Sequence, residues 1–177
     1  GFYKSKKEFL RIVEQFDSIL DGIVYAGITA LGFAATENSF YIYSFGYQEA
    51  GYGGLLFLAF IRNILVGWQH PFYTAFTGIG LAIARLNRSL WVRLAAPVVG
   101  WGLAVFTHAV HNTMSSLLSG LGGWVFGTIV DWTGWLFMFG VIVWAISRER
   151  GYMVKYLREE AEKGLISPAQ YRTACST

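Results

Sequence analysis

A chain of 177 residues that is 54% hydrophobic and 18% aromatic, with only 14% charged residues, is too apolar for an ordinary soluble domain, and a mean hydropathy of +0.42 agrees. These values predict an all-α polytopic membrane protein, a helix bundle of about four crossings plus a re-entrant or interfacial helix. The single Cys175 excludes a disulfide framework, and a net charge of +3 says less than where the basic residues lie.

Residues 1–20 are expected to form a cytoplasmic amphipathic segment. Ser5-Lys6-Lys7-Glu8 matches a capping box, and Phe9, Val13, Phe16 and Leu20 share one helical face. A transmembrane core over 21–147 follows, with apolar stretches at Gly22 to Phe45, Gly54 to Ala84, Ala95 to Leu118 and Gly122 to Ile146. The first is too long and lies too far in to be a cleavable signal peptide. The second, about 31 residues, would extend about 46 Å as one helix against a hydrocarbon core of roughly 30 Å. It also carries Arg62 and His70-Pro71, so a break is expected near His70, with Leu55 to Gly67 re-entrant or interfacial and Pro71 to Ala84 crossing. The tail, 148–177, is charged. It reads as a cytoplasmic helix over Tyr152 to Lys163 stopped at Gly164, then a short helix opened by Ser167-Pro168.

Basic residues flank the stretches alternately. Lys4, Lys6, Lys7 and Arg11 precede the first, Arg85, Arg88 and Arg93 lie between the second and third, and Arg148, Arg150, Lys155 and Arg158 follow the fourth. The other two connections carry neither Lys nor Arg, so both termini and the 85–93 loop are expected to be cytoplasmic. Basic clusters spaced this way belong to membrane topology, and nucleic acid is not an expected partner; membrane lipids are.

Small residues recur at i,i+4 and lead to polar ones: Gly22, Ala26, Ala30 and Ala34 to Asn38 beside Glu37; His70 to Thr74, Gly78 and Ala82; Gly100 and Ala104 to His108, Asn112 and Ser116; Gly123 and Gly127 to Asp131. Such rows let helices approach closely in lipid, so their polar ends should face a common interior. Counted from the cytoplasmic flanks at 1.5 Å per residue, Glu37, His70, His108 and Asp131 all reach roughly 22–26 Å. An isolated ionisable side chain costs roughly 2.5–3.5 kcal/mol there, so pairing or a water-filled cavity is the expected compensation. Arg62 is expected to snorkel or close an ion pair, Asp131 to pair with a tryptophan N–H or terminate the cavity, and His111 to point away from the His108–Asn112 face.

Asp21-Gly22-Ile23-Val24-Tyr25-Ala26, then Leu31-Gly32-Phe33-Ala34-Ala35-Thr36-Glu37-Asn38, Arg62, His70, Thr74, Gly78 and His108-x-x-x-Asn112 together resemble the PrsW family of intramembrane proteases over about Asp17 to Ser116. The family is related to the CAAX-processing endopeptidases and is typified by a bacterial protease that cleaves a membrane-bound anti-sigma factor. The resemblance implies hydrolysis of a peptide bond in single-pass membrane substrates, in a prokaryotic plasma membrane, with Glu37, His70, His108 and Asn112 as motif residues; beside them Asn38, Arg62 and Asp131 are read as auxiliary. The family's Glu-Glu pair on a helix ahead of the Asp21 segment has no counterpart, since Glu159-Glu160 lies in the tail. The chain is therefore expected to be a truncated piece, inactive by itself, or a homologue that has lost that part.

The chemistry admits two forms. Glu37 as general base on a water, with His70 and His108 orienting it and Asn112 donating to the oxyanion, needs no cofactor and is preferred because H-E-x-x-H is absent. Zinc on His70, His108 and Glu37 is the other. No G-x-S-x-G elbow supports a serine enzyme. Two readings from other classes compete: a non-catalytic scaffold or substrate-binding subunit, which would survive Glu37→Gln, and a proton-coupled carrier, which would respond to a gradient without cleaving peptide.

Overall fold

The computed structural model describes residues 16–117 and 121–175, and among these every regular element is helical. The amphipathic helix expected from Ser5-Lys6-Lys7-Glu8 lies outside the described residues. A capping box occurs further on: helix α1 (Ile19–Tyr41) starts at Ser18, whose Oγ accepts from the Asp21 N–H at 3.0 Å while Asp21 Oδ2 accepts from the Ser18 N–H at 3.0 Å. The buried residues of α1 include Gly22, Ala30, Ala34 and Asn38, the row expected from the sequence.

A π-helical segment, Ile42–Tyr47, extends α1. The chain then reverses inside helix α2 (Gln48–Phe60) at Ala50 and Gly51; Gly51 has φ +61° and ψ −148°, a conformation closed to residues with a Cβ. The returning limb packs tightly on the π segment, Gly46 against Gly54, and ends in a second π-helical segment, Ile61–Leu65. The backbone breaks at Val66–Trp68 and resumes as α3 (Gln69–Leu86). The break thus falls just upstream of His70, because Pro71 sits in the first turn of α3, where an N–H has no intrahelical acceptor and its loss costs nothing.

Helix α3 is the centre of the packing. One face places Gly78 on Gly22 and Ala26 of α1, and the opposite face places Gly80 against Ala96 and Gly100 of α4 (Leu90–Leu117). At Gly22, Gly78, Gly80 and Gly100 alike a Cβ would collide with a backbone carbonyl of the neighbouring helix, so dispersion contacts at backbone distance replace the hydrophobic effect that lipid cannot supply. Helix α5 (Leu121–Glu162) carries Gly123, Gly127 and Asp131, all buried.

Three helical stretches, Ile19–Leu86, Leu90–Met114 and Val125–Glu162, are long and apolar enough to cross a membrane, and the first doubles back on itself through the α1–α3 contact. Exposed Ile28, Phe33, Val98, Phe106 and Leu136 suit a lipid-facing exterior. The fold is the all-α membrane bundle expected from composition and periodicity.

By internal packing the chain divides into a unit ending at Leu136 and a unit from Phe137 onward. Within the second, Arg158 pairs with Glu162 at 3.0 Å and the chain turns at Gly164 with φ +73°. Helix α6 (Pro168–Cys175) then starts under Ser167, whose Oγ accepts from the Gln170 N–H at 3.2 Å.

Candidate active site

The buried row of α1 ends in Asn38, which brings Glu37 beside the second π segment. There Arg62 binds both residues: Nη2 lies 2.7 Å from Glu37 Oε2, Nε donates to Asn38 Oδ1 at 2.8 Å, and the guanidinium lies 4.1 Å from the centre of the Tyr41 ring. Asn38 Nδ2 donates in turn to Asn63 Oδ1 at 3.1 Å and to the Arg62 carbonyl at 3.4 Å. Arg62 therefore closes an ion pair, the second of the two outcomes expected for it, and Asn38 and Asn63 complete its polar surroundings.

His70, in the first turn of α3, faces the same carboxylate. Its Nε2 is buried 3.1 Å from Glu37 Oε2, off the line of a hydrogen bond. His108 of α4 packs edge-on against the His70 ring, with centroids 5.4 Å apart. One ligand-type atom from each of Glu37, His70 and His108 lies within 4.8 Å of the others. Ligands bound at 2.0–2.1 Å around a tetrahedral zinc stand roughly 3.3 Å apart, so small side-chain adjustments bring this set to bonding distance. Two imidazoles, one carboxylate and a buried ring nitrogen without a proper hydrogen bond form a donor set that fits a divalent metal.

A second polar cluster lies alongside. Asp131 of α5 is buried and receives a hydrogen bond from Tyr73 Oη at 2.8 Å and another from Gln69 Nε2, while His111 Nδ1 lies 2.7 Å from its Oδ2. The Trp132 indole N–H, next to Asp131 in the chain, donates to the Leu65 carbonyl at 3.0 Å. His111 does not point away: it lines the same cavity as His108, because positions three apart on a helix share a face as closely as positions four apart. Gln69 and Tyr73, absent from the sequence-based set, complete this cluster.

Both clusters border one cavity of about 520 Å³, whose wall includes Glu37, Arg62, His70, His108, Asn112 and Asp131, with Gly123 and Gly127 at one side. The four polar ends of the small-residue rows thus converge, with Asn112 one turn beyond His108. The Ser116 side chain lies outside the described residues. A chamber walled by helices, with a carboxylate and two imidazoles in contact, gathers the groups that hydrolysis within a membrane would require.

The comparisons agree with that chemistry. The profile of the PrsW family of intramembrane metalloproteases matches residues 8–146, and the chain belongs to this family. It is 28% identical over 115 residues to Protease PrsW of Bacillus subtilis (strain 168); the match covers 63% of this chain and 45% of that relative, so the chain spans less than half of the relative's length. No solved structure matches.

Proposed function

We propose that this chain carries the hydrolytic centre of an intramembrane peptidase acting on single-pass membrane substrates in a prokaryotic plasma membrane. The observation that carries the reading is the convergence of Glu37, His70 and His108, from α1, α3 and α4, within 4.8 Å at the wall of the cavity. Three separate helices would not each contribute a costly polar group to one point in an apolar bundle for packing alone.

The same three residues would hold a divalent metal, and the description of the family as metalloproteases together with the donor set favours this form over the metal-free one preferred from motif spacing. Bound there, such an ion supplies Lewis-acid polarisation of the scissile carbonyl and an acidified water. The chain's own residues do the rest. Arg62 fixes the direction of the Glu37 carboxylate through a charge-assisted hydrogen bond. In this form His70 and His108 would serve as ligands and take no proton, and the Asn112 amide, on the cavity wall, donates to the developing oxyanion.

A metal-free form, with Glu37 as general base and His70 as proton acceptor, is supported by the 3.1 Å approach of those two groups. Metal analysis separates the forms. Purified chain should contain bound zinc or a similar ion that is lost in His70→Ala and His108→Ala, and active but metal-free protein would establish the carboxylate form. For activity, new N-termini in the membrane proteome of cells expressing the full gene should disappear with Glu37→Gln, His70→Ala or His108→Ala at equal expression. Cleavage surviving all three substitutions would remove the assignment.

A further inference from the structure

Asp131 is outside the Glu37–His70–His108 set, yet it is the more deeply buried carboxylate, at 6% exposure. Its contacts lead back to both histidines. Tyr73, whose hydroxyl donates to Oδ1 at 2.8 Å, lays its ring on the His108 imidazole with centroids 5.2 Å apart and planes 14° from parallel. The same ring meets His70 edge-on at 6.3 Å. Gln69, whose amide donates to Oδ2, immediately precedes His70, so that bond fixes the first turn of α3 from which His70 projects. His111, at 2.7 Å from Oδ2, ties the same carboxylate to α4 one turn past His108.

We propose that Asp131 is the positioning residue of the site: anchored on α5, it locks the Tyr73 ring as a flat backstop for His108 and pins the base of His70, so that one carboxylate sets the direction of both imidazoles toward Glu37. Stacking alone leaves a tyrosine free to slide in its plane; a hydrogen bond at its distal end removes that freedom and turns the ring into an orienting surface. Outer partners of this kind determine how well inner ligands are presented.

The inference rests on the metal-site reading for one of its tests and is independent of it for the other. In zinc competition against a chromophoric chelator, Asp131→Ala and Tyr73→Phe should each weaken binding by about 10–100-fold. The double variant should be no weaker than the worse single one, since both remove one linkage. Additive losses, or unchanged affinity in Asp131→Ala, would overturn the proposal. The second readout uses metal-free protein in nanodiscs with labelled histidine. The His108 Cε1–H resonance should be shifted upfield by the Tyr73 ring current, and Tyr73→Leu defines its complete loss. In Asp131→Ala, which leaves the Tyr73 hydroxyl without this acceptor, most of that shift should vanish, and a shift that persists there overturns the positioning role. If the wild-type chain takes up no metal, the metal-site reading fails and the ring-current result alone decides the inference.

Discussion

Arg62 shows how a single charge is made tolerable in an apolar bundle. Its guanidinium satisfies Glu37 and Asn38 and covers the Tyr41 face, a combination that requires a planar fork and that an ammonium could not reproduce. Removing one member leaves the other, only partly exposed, without its counter-charge, which destabilises more than removing both charges together. Arg62→Met is therefore expected to lower the unfolding temperature in detergent more than the double substitution Arg62→Met with Glu37→Gln. Equal losses would show that the pair contributes nothing beyond packing. At this scale the sequence discloses Glu37, His70, His108 and Asp131, because an ionisable residue inside an apolar stretch is rare enough to stand out. It hides Gln69 and Tyr73. A glutamine beside His-Pro, or one tyrosine among 10, is unremarkable until the fold sets Asp131 opposite it. His111 was misplaced by assigning the polar face at i,i+4 alone, when the cavity is wide enough to take i,i+3 as well.

The helices meet through glycine, and the sign of a glycine substitution depends on what stands opposite it. A Cβ on Gly78 would run into the Gly22 carbonyl and the Ala26 side chain, and neither helix can yield without parting from the other. At Gly32 and Gly102 a Cβ would meet nothing within 4 Å. Gly78→Ala should thus destabilise by about 1–3 kcal/mol through overpacking. Gly32→Ala and Gly102→Ala should be neutral or stabilise by up to about 1 kcal/mol, since alanine restricts the unfolded chain and favours helix. Unfolding of the three variants in mixed micelles against a denaturing detergent checks the contrast, and a Gly78→Ala protein as stable as wild type would mean that α1 and α3 are not in backbone contact. The rows that make these contacts were legible because a period of four survives any exact placement of the helix. The π segments were not, because one extra residue per turn leaves no mark in composition; the one holding Arg62 and Asn63 is what turns both toward Asn38. The break before α3 was legible to within a few residues, since proline identifies the neighbourhood of a helix start while the turn geometry around Gly67 decides where it falls.

For the molecule in its membrane, the distribution of charge decides which way round the bundle sits. The connection between α3 and α4 carries Arg88 between Arg85 and Arg93, whereas the reversal at Ala50–Gly51 has no basic residue near it. Each cation that must be translocated opposes insertion, so the arginine loop is expected to stay in the cytoplasm and the reversal to be exported. Because α1 and α3 lie side by side with Gly22 against Gly78, the start of α1 must share the side of the arginine loop, and the cavity then lies toward the exported end, beyond the Gly22–Gly78 contact along both helices. A membrane-impermeant maleimide tests this directly in a Cys175→Ser background. Applied to intact spheroplasts, it should label Tyr52→Cys, a residue 74% exposed, and spare Ser89→Cys until the membrane is opened; native Cys175 should behave as Ser89→Cys does. The reverse pattern would invert the bundle and place the cavity in the cytoplasmic half, where a substrate would present the opposite end of its transmembrane segment to Glu37, His70 and His108.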